Sequence, residues 1–168
     1  MHSARLIPTK ISYSACISAC EKNGDWQRAL QLLYGMPEAR LTPNTVSFNA
    51  AISAGEKNGE WQMALRLLGD MPLTKLLPDE ISLNAAISAC QKGHEWQLAL
   101  HLLWHMPSRR LVPNEISYSA AISACEGVGE WQAALHLLDE MHWAGLVPDQ
   151  ISLNTSISAC GQGSEWLS

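Results

Sequence analysis

The chain has 168 residues, 47% of them apolar and 16% charged, with a net charge of −5 and a mean hydropathy of −0.04. That balance excludes a disordered chain, which needs low hydrophobicity and high net charge, and no apolar run is long enough for a membrane span. Eleven cations against sixteen acids also exclude a protein that grips nucleic acid by bulk charge alone.

Read in chain order, one pattern returns every 35 residues. Pro8, Pro43, Pro78, Pro113 and Pro148 keep the spacing, as do Ile11, Val46, Ile81, Ile116 and Ile151. So do Trp26, Trp61, Trp96, Trp131 and Trp166, and Met36, Met71, Met106 and Met141. A fixed period of this size marks a solenoid. In the stretch from Glu80 to Asn114, Leu83, Ile87 and Cys90 recur at helical spacing and predict a helix A over Glu80–Lys92. Gly93 and His94 break it, and Trp96, Ala99, Leu100, Leu103 and Met106 predict a helix B. Asp25, Glu60, Glu95, Glu130 and Glu165 open each helix B, and Asp79, Glu80, Glu115 and Asp149 fall at the starts of A-helices, where acids offset the helix dipole. Pro37, Pro72 and Pro107 follow Met and are expected to end or kink helix B, whereas His142 allows a longer helix closed by Gly145.

The phase divides the chain into the tail of one unit (1–9), four full units (10–44, 45–79, 80–114, 115–149) and part of another (150–168). A hairpin of two helices cannot cover its own apolar faces and must stack on its neighbours. With no polar terminal caps, the chain reads as a segment of a longer array whose ends are open to self-association. Cys20, Cys90, Cys125 and Cys160 follow the repeat, and Cys16 precedes Cys20 by one turn. No CxxC pair is present, so these are expected to be small buried thiols rather than a metal or disulfide framework.

The units resemble the pentatricopeptide repeat. The likeness rests on stretches such as Val46 to Met71 (VSFNAAISAGEKNGEWQMALRLLGDM) and on the closing L-x-P-[ND] of Leu41–Asn44, Leu76–Asp79, Leu111–Asn114 and Leu146–Asp149. The tetratricopeptide signature of similar period is absent. The resemblance implies an all-α, right-handed superhelical α-solenoid that binds single-stranded RNA in a mitochondrion or chloroplast, one base per repeat, and acts in RNA processing, stabilisation or translation.

A polar stripe suited to this runs along the A-helices, with neighbours three or four residues apart and so on one face. It comprises Ile11, Ser14, Ser18 and Lys22, then Val46, Asn49, Ser53 and Lys57, then Ile81, Asn84, Ser88 and Lys92, then Ile116, Ser119, Ser123 and Gly127. A branched apolar residue opening each stripe, Ile151 included, is expected to wedge between bases. Lys22, Lys57 and Lys92 are expected to meet phosphates, with a weaker grip at Gly127 and Gln162.

In the family, the residue three beyond the opening Ile or Val and the residue after the closing Pro choose the base. Here these are Ser14 with Asn44, Asn49 with Asp79, Asn84 with Asn114, and Ser119 with Asp149, followed by Asn154. An ionised Asp accepts from the imino N–H of uracil or guanine, while Asn donates to the bare ring nitrogen of adenine or cytosine. Ser leaves room for a purine and Asn reaches a pyrimidine, so the four units would read 5′-A-U-C-G-3′; the two amides of Asn84 and Asn114 can turn to suit cytosine or uracil.

No catalytic chemistry is legible, and no cofactor is implied. His94-Glu95 lacks the second His of HExxH, with Leu98 in its place, and the HxE…CxxC of deaminases is missing. His101 and His105 share a face but have no third ligand, and the periodic Trp read as packing between units. The alternative function is a protein-interaction scaffold, which the acidic balance and Glu21, Glu56 and Glu126 beside the stripe favour. The restriction of the two base-choosing positions favours RNA.

Overall fold

The computed structural model describes residues 9–162, apart from the side chains of Ile151, Ala159, Cys160 and Gln162. Pro8, Glu165 and Trp166 therefore lie outside the described residues, as do the side chains of Ile151, Cys160 and Gln162. The described residues form nine α-helices and no strand: α1 (Lys10–Asn23), α2 (Trp26–Gly35), α3 (Thr45–Glu56), α4 (Trp61–Leu73), α5 (Glu80–Lys92), α6 (Trp96–His105), α7 (Glu115–Glu126), α8 (Trp131–Trp143) and α9 (Gln150–Gln162). Among them no helix is long and apolar enough to cross a membrane.

Each A-helix (α1, α3, α5, α7) starts in the same way. Thr9, Asn44, Asp79 and Asn114 stand at the N-cap in extended backbone and accept from the amide three residues on, while the Ser there bonds back to the cap's own amide. This reciprocal box satisfies two of the helix's orphan donors. The B-helices start less tightly. Asp25 caps Arg28 N at 3.1 Å, whereas Glu60, Glu95 and Glu130 form no side-chain cap bond and leave only their charge near the helix end.

Both turns of every hairpin are closed by the same device. After helix A, the amides of Asp25, Glu60, Glu95 and Glu130 reach back five residues to the carbonyls of Cys20, Gly55, Cys90 and Cys125. After helix B, those of Leu41, Leu76, Leu111 and Leu146 do the same to Met36, Met71, Met106 and Met141. This Schellman closure needs one left-handed residue. Gly24, Gly59 and Gly129 supply it in the first kind of turn, but His94 must adopt φ 60° there. In the second kind, Gly145 is joined by Arg40, Lys75 and Arg110.

The closure also corrects the role expected for proline. Helices α2 and α6 do stop before Pro37 and Pro107, with a 3₁₀ turn over Pro107–Arg109. Helix α4 nevertheless runs through Pro72 to Leu73, matching α8, which has His142 in that place. Pro72 lies in the last turn, where the donor it lacks matters little because the closure ends the helix one residue later.

The A-helices stack on one another (α1 on α3, α3 on α5, α5 on α7, α7 on α9), and each of α2, α4, α6 and α8 packs on its own A-helix and on the next. The core lies between these layers. Ile17, Ile52, Ile87 and Ile122 are fully buried, as are Met36, Met71, Met106 and Met141 and, between them, Ala29, Ala64, Ala99 and Ala134. Small alanines let the helices approach while Ile and Met fill the joints, so every hairpin buries its apolar face only through its neighbours. Trp26, Trp61, Trp96 and Trp131 are half-buried against this core, and a Cβ at Gly93 would overlap the ring of Trp61 from the preceding hairpin. Trp61 thus packs between hairpins, as the position of the periodic tryptophans suggested, and Trp26, Trp96 and Trp131 pack against the core at the same register. The molecule is an all-α solenoid of helical hairpins.

Candidate nucleic-acid interface

The stacked A-helices bring together the two residues of each pair that the sequence singles out for base choice. Asn49 Nδ2 on α3 donates to both carboxylate oxygens of Asp79, at 3.0 and 3.1 Å. Asn84 Nδ2 donates to Asn114 Oδ1 at 3.2 Å, and Ser119 Oγ to Asp149 Oδ1 at 3.3 Å. Ser119 Oγ also lies 2.6 Å from Ser152 Oγ. Ser14 makes no such bond to Asn44; its Oγ is buried without a partner, as are Asn49 Oδ1 and Asn84 Oδ1. A buried polar atom left without a partner costs roughly 1–3 kcal/mol, and three of them line one row. Asn154 is exposed on α9.

The second residue of each pair is the N-cap of the following A-helix, and this fixes its orientation. Oδ1 of Asn44, Asp79, Asn114 and Asp149 accepts from the amides of Ser47, Ser82, Ser117 and Ser152, at 2.9, 2.9, 3.1 and 2.7 Å. An amide N–H needs an oxygen, so the asparagines cannot turn round without losing the cap. What remains is Nδ2 on Asn44 and Asn114, a donor, and on Asp149 Oδ2, an acceptor; Asp79 Oδ2 already accepts from Asn49 and has only its second lone pair left. The Ser152 hydroxyl and amide bonded to Asp149 hold its carboxyl below the usual value of 3.8. Capping alone accounts for Asn or Asp at these four places, so their restriction is not by itself evidence for RNA. The capping signal, an Asn or Asp followed three residues later by Ser, is present in the sequence at all four of these places.

Ile11, Val46, Ile81 and Ile116 stand out from this face, with Ile11 81% and Ile116 62% exposed. Val46 and Ile81 flank a groove of about 160 Å³ that Asn49 also lines, with Ser18 and Glu21 at its far side. Ile116, Ser119 and Asp149 line a second groove of about 320 Å³ with Ser88 and Ser123. Lys22, Lys57 and Lys92 are exposed at the ends of their A-helices. Lys57 Nζ donates to the Lys22 carbonyl at 2.6 Å, and Lys92 pairs with Glu56 at 3.4 Å. Part of the positive charge expected for phosphates is therefore already engaged.

The thiols divide. Cys20, Cys90 and Cys125 are buried, and desolvation pushes Cys90 to about 12 and Cys125 to about 11. Cys16 is exposed, against the expectation that it is buried, because no described hairpin covers that face of α1. Ala51, Ala86 and Ala121 at the same register are fully buried by the preceding A-helix. His101 and His105 meet edge to face with ring centroids 4.2 Å apart, and among the described residues no three His, Cys, Asp or Glu side chains converge to hold a metal.

Comparison with known proteins gives the following. The pentatricopeptide repeat domain model matches residues 6–58 and 101–163, and the PPR repeat model matches residues 46–73. No curated protein matches the chain. The structure is similar to the PPR domain of Arabidopsis thaliana protein-only RNase P 1 in complex with tRNA, with TM-score 0.76 and 17% identity over 88% of this chain and 78% of that one. It is similar to PPR10 in complex with an 18-nt psaJ RNA element, with TM-score 0.78 and 19% identity over 91% of this chain and 22% of that one. To PPR10 from maize the TM-score is 0.71 and the identity 28%, over 95% and 23%. The chain thus spans less than a quarter of the length of PPR10. With the 35-residue pattern, the capped A-helices and a family model covering more than half of its length, this chain belongs to the pentatricopeptide repeat family.

Proposed function

We propose that the chain binds single-stranded RNA along its A-helices, one base for each of the four hairpins 10–44, 45–79, 80–114 and 115–149, reading 5′-A-U-C-G-3′. The observation that carries this is the pinned cap. With Oδ1 held by the helix, Asn44 and Asn114 offer a base only a donor, which suits the bare ring nitrogen of adenine or cytosine. Asp79 and Asp149 offer only an acceptor, which suits the imino N–H of uracil or guanine. The cap also removes the freedom of Asn114 to turn toward uracil. Ser14 and Ser119 leave space for a purine, while Asn49 and Asn84 extend toward a pyrimidine. Val46 and Ile81, flanking the groove that holds Asn49, are placed to sandwich a base; Ile11, Ile116 and Ile151 belong to the same series.

Lys22, Lys57 and Lys92 meet phosphates and position the strand without reading it. At three phosphates the salt dependence is shallow, with a slope of about −2 in log–log form. The named neighbours, complexes with psaJ RNA and with tRNA, support RNA as the ligand class. The protein acts in an organelle by protecting, remodelling or recruiting to the RNA, with no reaction of its own. Fluorescence anisotropy with a 14-nt RNA centred on AUCG, competed by RNAs changed at one of the four bases, tests this. Each change is expected to weaken binding several-fold. Equal competition by all of them contradicts one base per hairpin, and no binding at low salt moves the chain to the protein-scaffold reading.

A further inference from the structure

The loops from helix B to the next helix A stack along an edge of the solenoid distinct from the A-helix face, and that edge is basic in an acidic protein. Arg40, Lys75 and Arg110 occupy the left-handed position of successive loops at φ 58°, 62° and 62°. A side chain there costs roughly 1 kcal/mol or more that glycine avoids, as Gly145 does in the fourth loop. With Arg109 they make four of the chain's eleven cations, all exposed. The ion pairs among the described residues are Lys92–Glu56 and His136–Glu140, so none of the four is matched. Glu38 and the capping Asp79 and Asp149 are the acids of these loops, and both caps are engaged at their helices.

Beside the cations lie apolar side chains with no partner. Leu73 and Leu77 are 81% and 80% exposed; Val112 and Val147, on the loops that follow, and Trp143, the last residue of α8, are exposed too. Two equivalent grooves result. One, of about 500 Å³, runs between Arg40 and Pro43 of one loop and Leu73 and Lys75 of the next. The other, of about 440 Å³, lies between Pro72, Leu77 and Pro78 and the pair Arg109 and Arg110. Neither shares a residue with the grooves that hold Asn49 or Ser119.

We infer that this edge docks a protein segment in which acidic and apolar residues alternate, its carboxylates meeting Arg40, Lys75, Arg109 and Arg110 and its apolar side chains filling the Pro–Leu grooves. Charge complementarity selects an acidic partner, and exposed leucines beside the cations select a peptide over a nucleic acid. Apart from Asn44 and Asn114, which are held at the caps of α3 and α7, the first three loops offer a base neither an aromatic ring nor a side-chain amide, and a phosphate backbone has no use for Leu73 or Leu77. Arginine beside apolar side chains, held in no ion pair, is the composition of an interface centre rather than of a solvated rim.

The test is fluorescence polarisation of the whole chain with a labelled 15-residue peptide carrying Leu at every third position among Asp and Glu. Two control peptides replace Leu by Ser or the acids by Lys, and a 14-nt AUCG-centred RNA is the fourth probe. The protein is compared with Arg40→Glu/Lys75→Glu/Arg110→Glu, with Leu73→Ser/Leu77→Ser, and with Lys22→Glu/Lys57→Glu on the other edge, each checked for an unchanged helical circular dichroism spectrum. The acidic–apolar peptide is expected to bind more tightly than both controls. It should lose at least tenfold in the charge-reversed edge and several-fold in the leucine variant, with no change in the Lys22/Lys57 variant. A peptide that binds no better than its Lys or Ser counterpart overturns the inference. So does charge reversal of the edge that abolishes RNA binding and leaves the peptide untouched, which would assign the edge to nucleic acid.

Discussion

Asn49 donates through Nδ2 to both carboxylate oxygens of Asp79, thirty residues away, while Asp79 Oδ1 also caps α5. One carboxylate therefore closes a helix and ties two hairpins together. Stability and the proposed recognition pass through the same atoms, and substitutions separate them. Asp79→Asn keeps an oxygen for the cap and for Asn49, as Asn114 does for Asn84, and is expected to change stability by less than about 0.5 kcal/mol. Asp79→Ala loses the cap, worth about 1 kcal/mol, and leaves the Asn49 amide unpaired in a buried place, for a total of about 2 kcal/mol or more. Urea unfolding followed by circular dichroism measures both; equal loss in the two variants would show that the cap is not the operative contact.

His94 stands where Gly24, Gly59 and Gly129 stand in the other hairpins, with the same positive φ. The left-handed backbone strains any residue with a Cβ. His94→Gly is expected to raise the unfolding midpoint, with a gain of about 1 kcal/mol, and His94→Val to lower it. Thermal melts of the two variants against the parent check the sign, which reverses if His94 has a stabilising contact that outweighs its backbone.

This residue also shows where the sequence is legible and where it is not. The period, the spacing of Leu83, Ile87 and Cys90 and the break at Gly93 place α5 at about Glu80 to Lys92, where it lies, because a 35-residue repeat restates each helix several times over. Rows of polar side chains on the A-helices follow from spacing alone. What spacing does not carry is which contact ends an element. Pro72 suggests a helix end, but the Schellman bond from Leu76 to Met71 sets it, and α4 passes through the proline. Cys16 shares its register with Ala51 and Ala86, yet lies exposed because burial in a solenoid belongs to the neighbour and not to the residue. The Asn and Asp after each closing Pro point to a base in the sequence and to a cap in the fold, and only the geometry of Oδ1 joins the two roles.

Burial separates the thiols by rate. Cys16 is exposed, whereas Cys20, Cys90 and Cys125 are buried, with the last two held near 12 and 11 by desolvation. The thiolate is the reactive form. Brief alkylation at pH 8 followed by peptide mass mapping is expected to label Cys16 before Cys20, Cys90 and Cys125, which react only after denaturant is added. Early labelling of Cys90 would mean that α5 is not packed between its neighbours as described.

Asp149 gives a pH signature. Hydrogen bonds from the Ser152 hydroxyl and amide lower its carboxyl pKa below the usual 3.8. A carboxyl whose folded value is depressed contributes its stabilisation fully above the unfolded value, and that contribution is lost as pH falls through the folded one. Carboxyl carbon chemical shifts followed by NMR between pH 6 and 2 should therefore place the Asp149 midpoint below 3.8, and Ser152→Ala should move it upward. An unchanged midpoint in that variant would show that Ser152 is not the cause.

We propose that the pinned cap atom chooses the base. This is tested most directly by measuring the affinity of the chain and of its Asp149→Asn variant for RNAs centred on AUCG and AUCA, by anisotropy at two salt concentrations. The parent is expected to prefer AUCG and the variant AUCA, each by about 1–2 kcal/mol or roughly five- to thirtyfold, with the same shallow salt slope in both. Identical preferences in the two proteins would contradict the account.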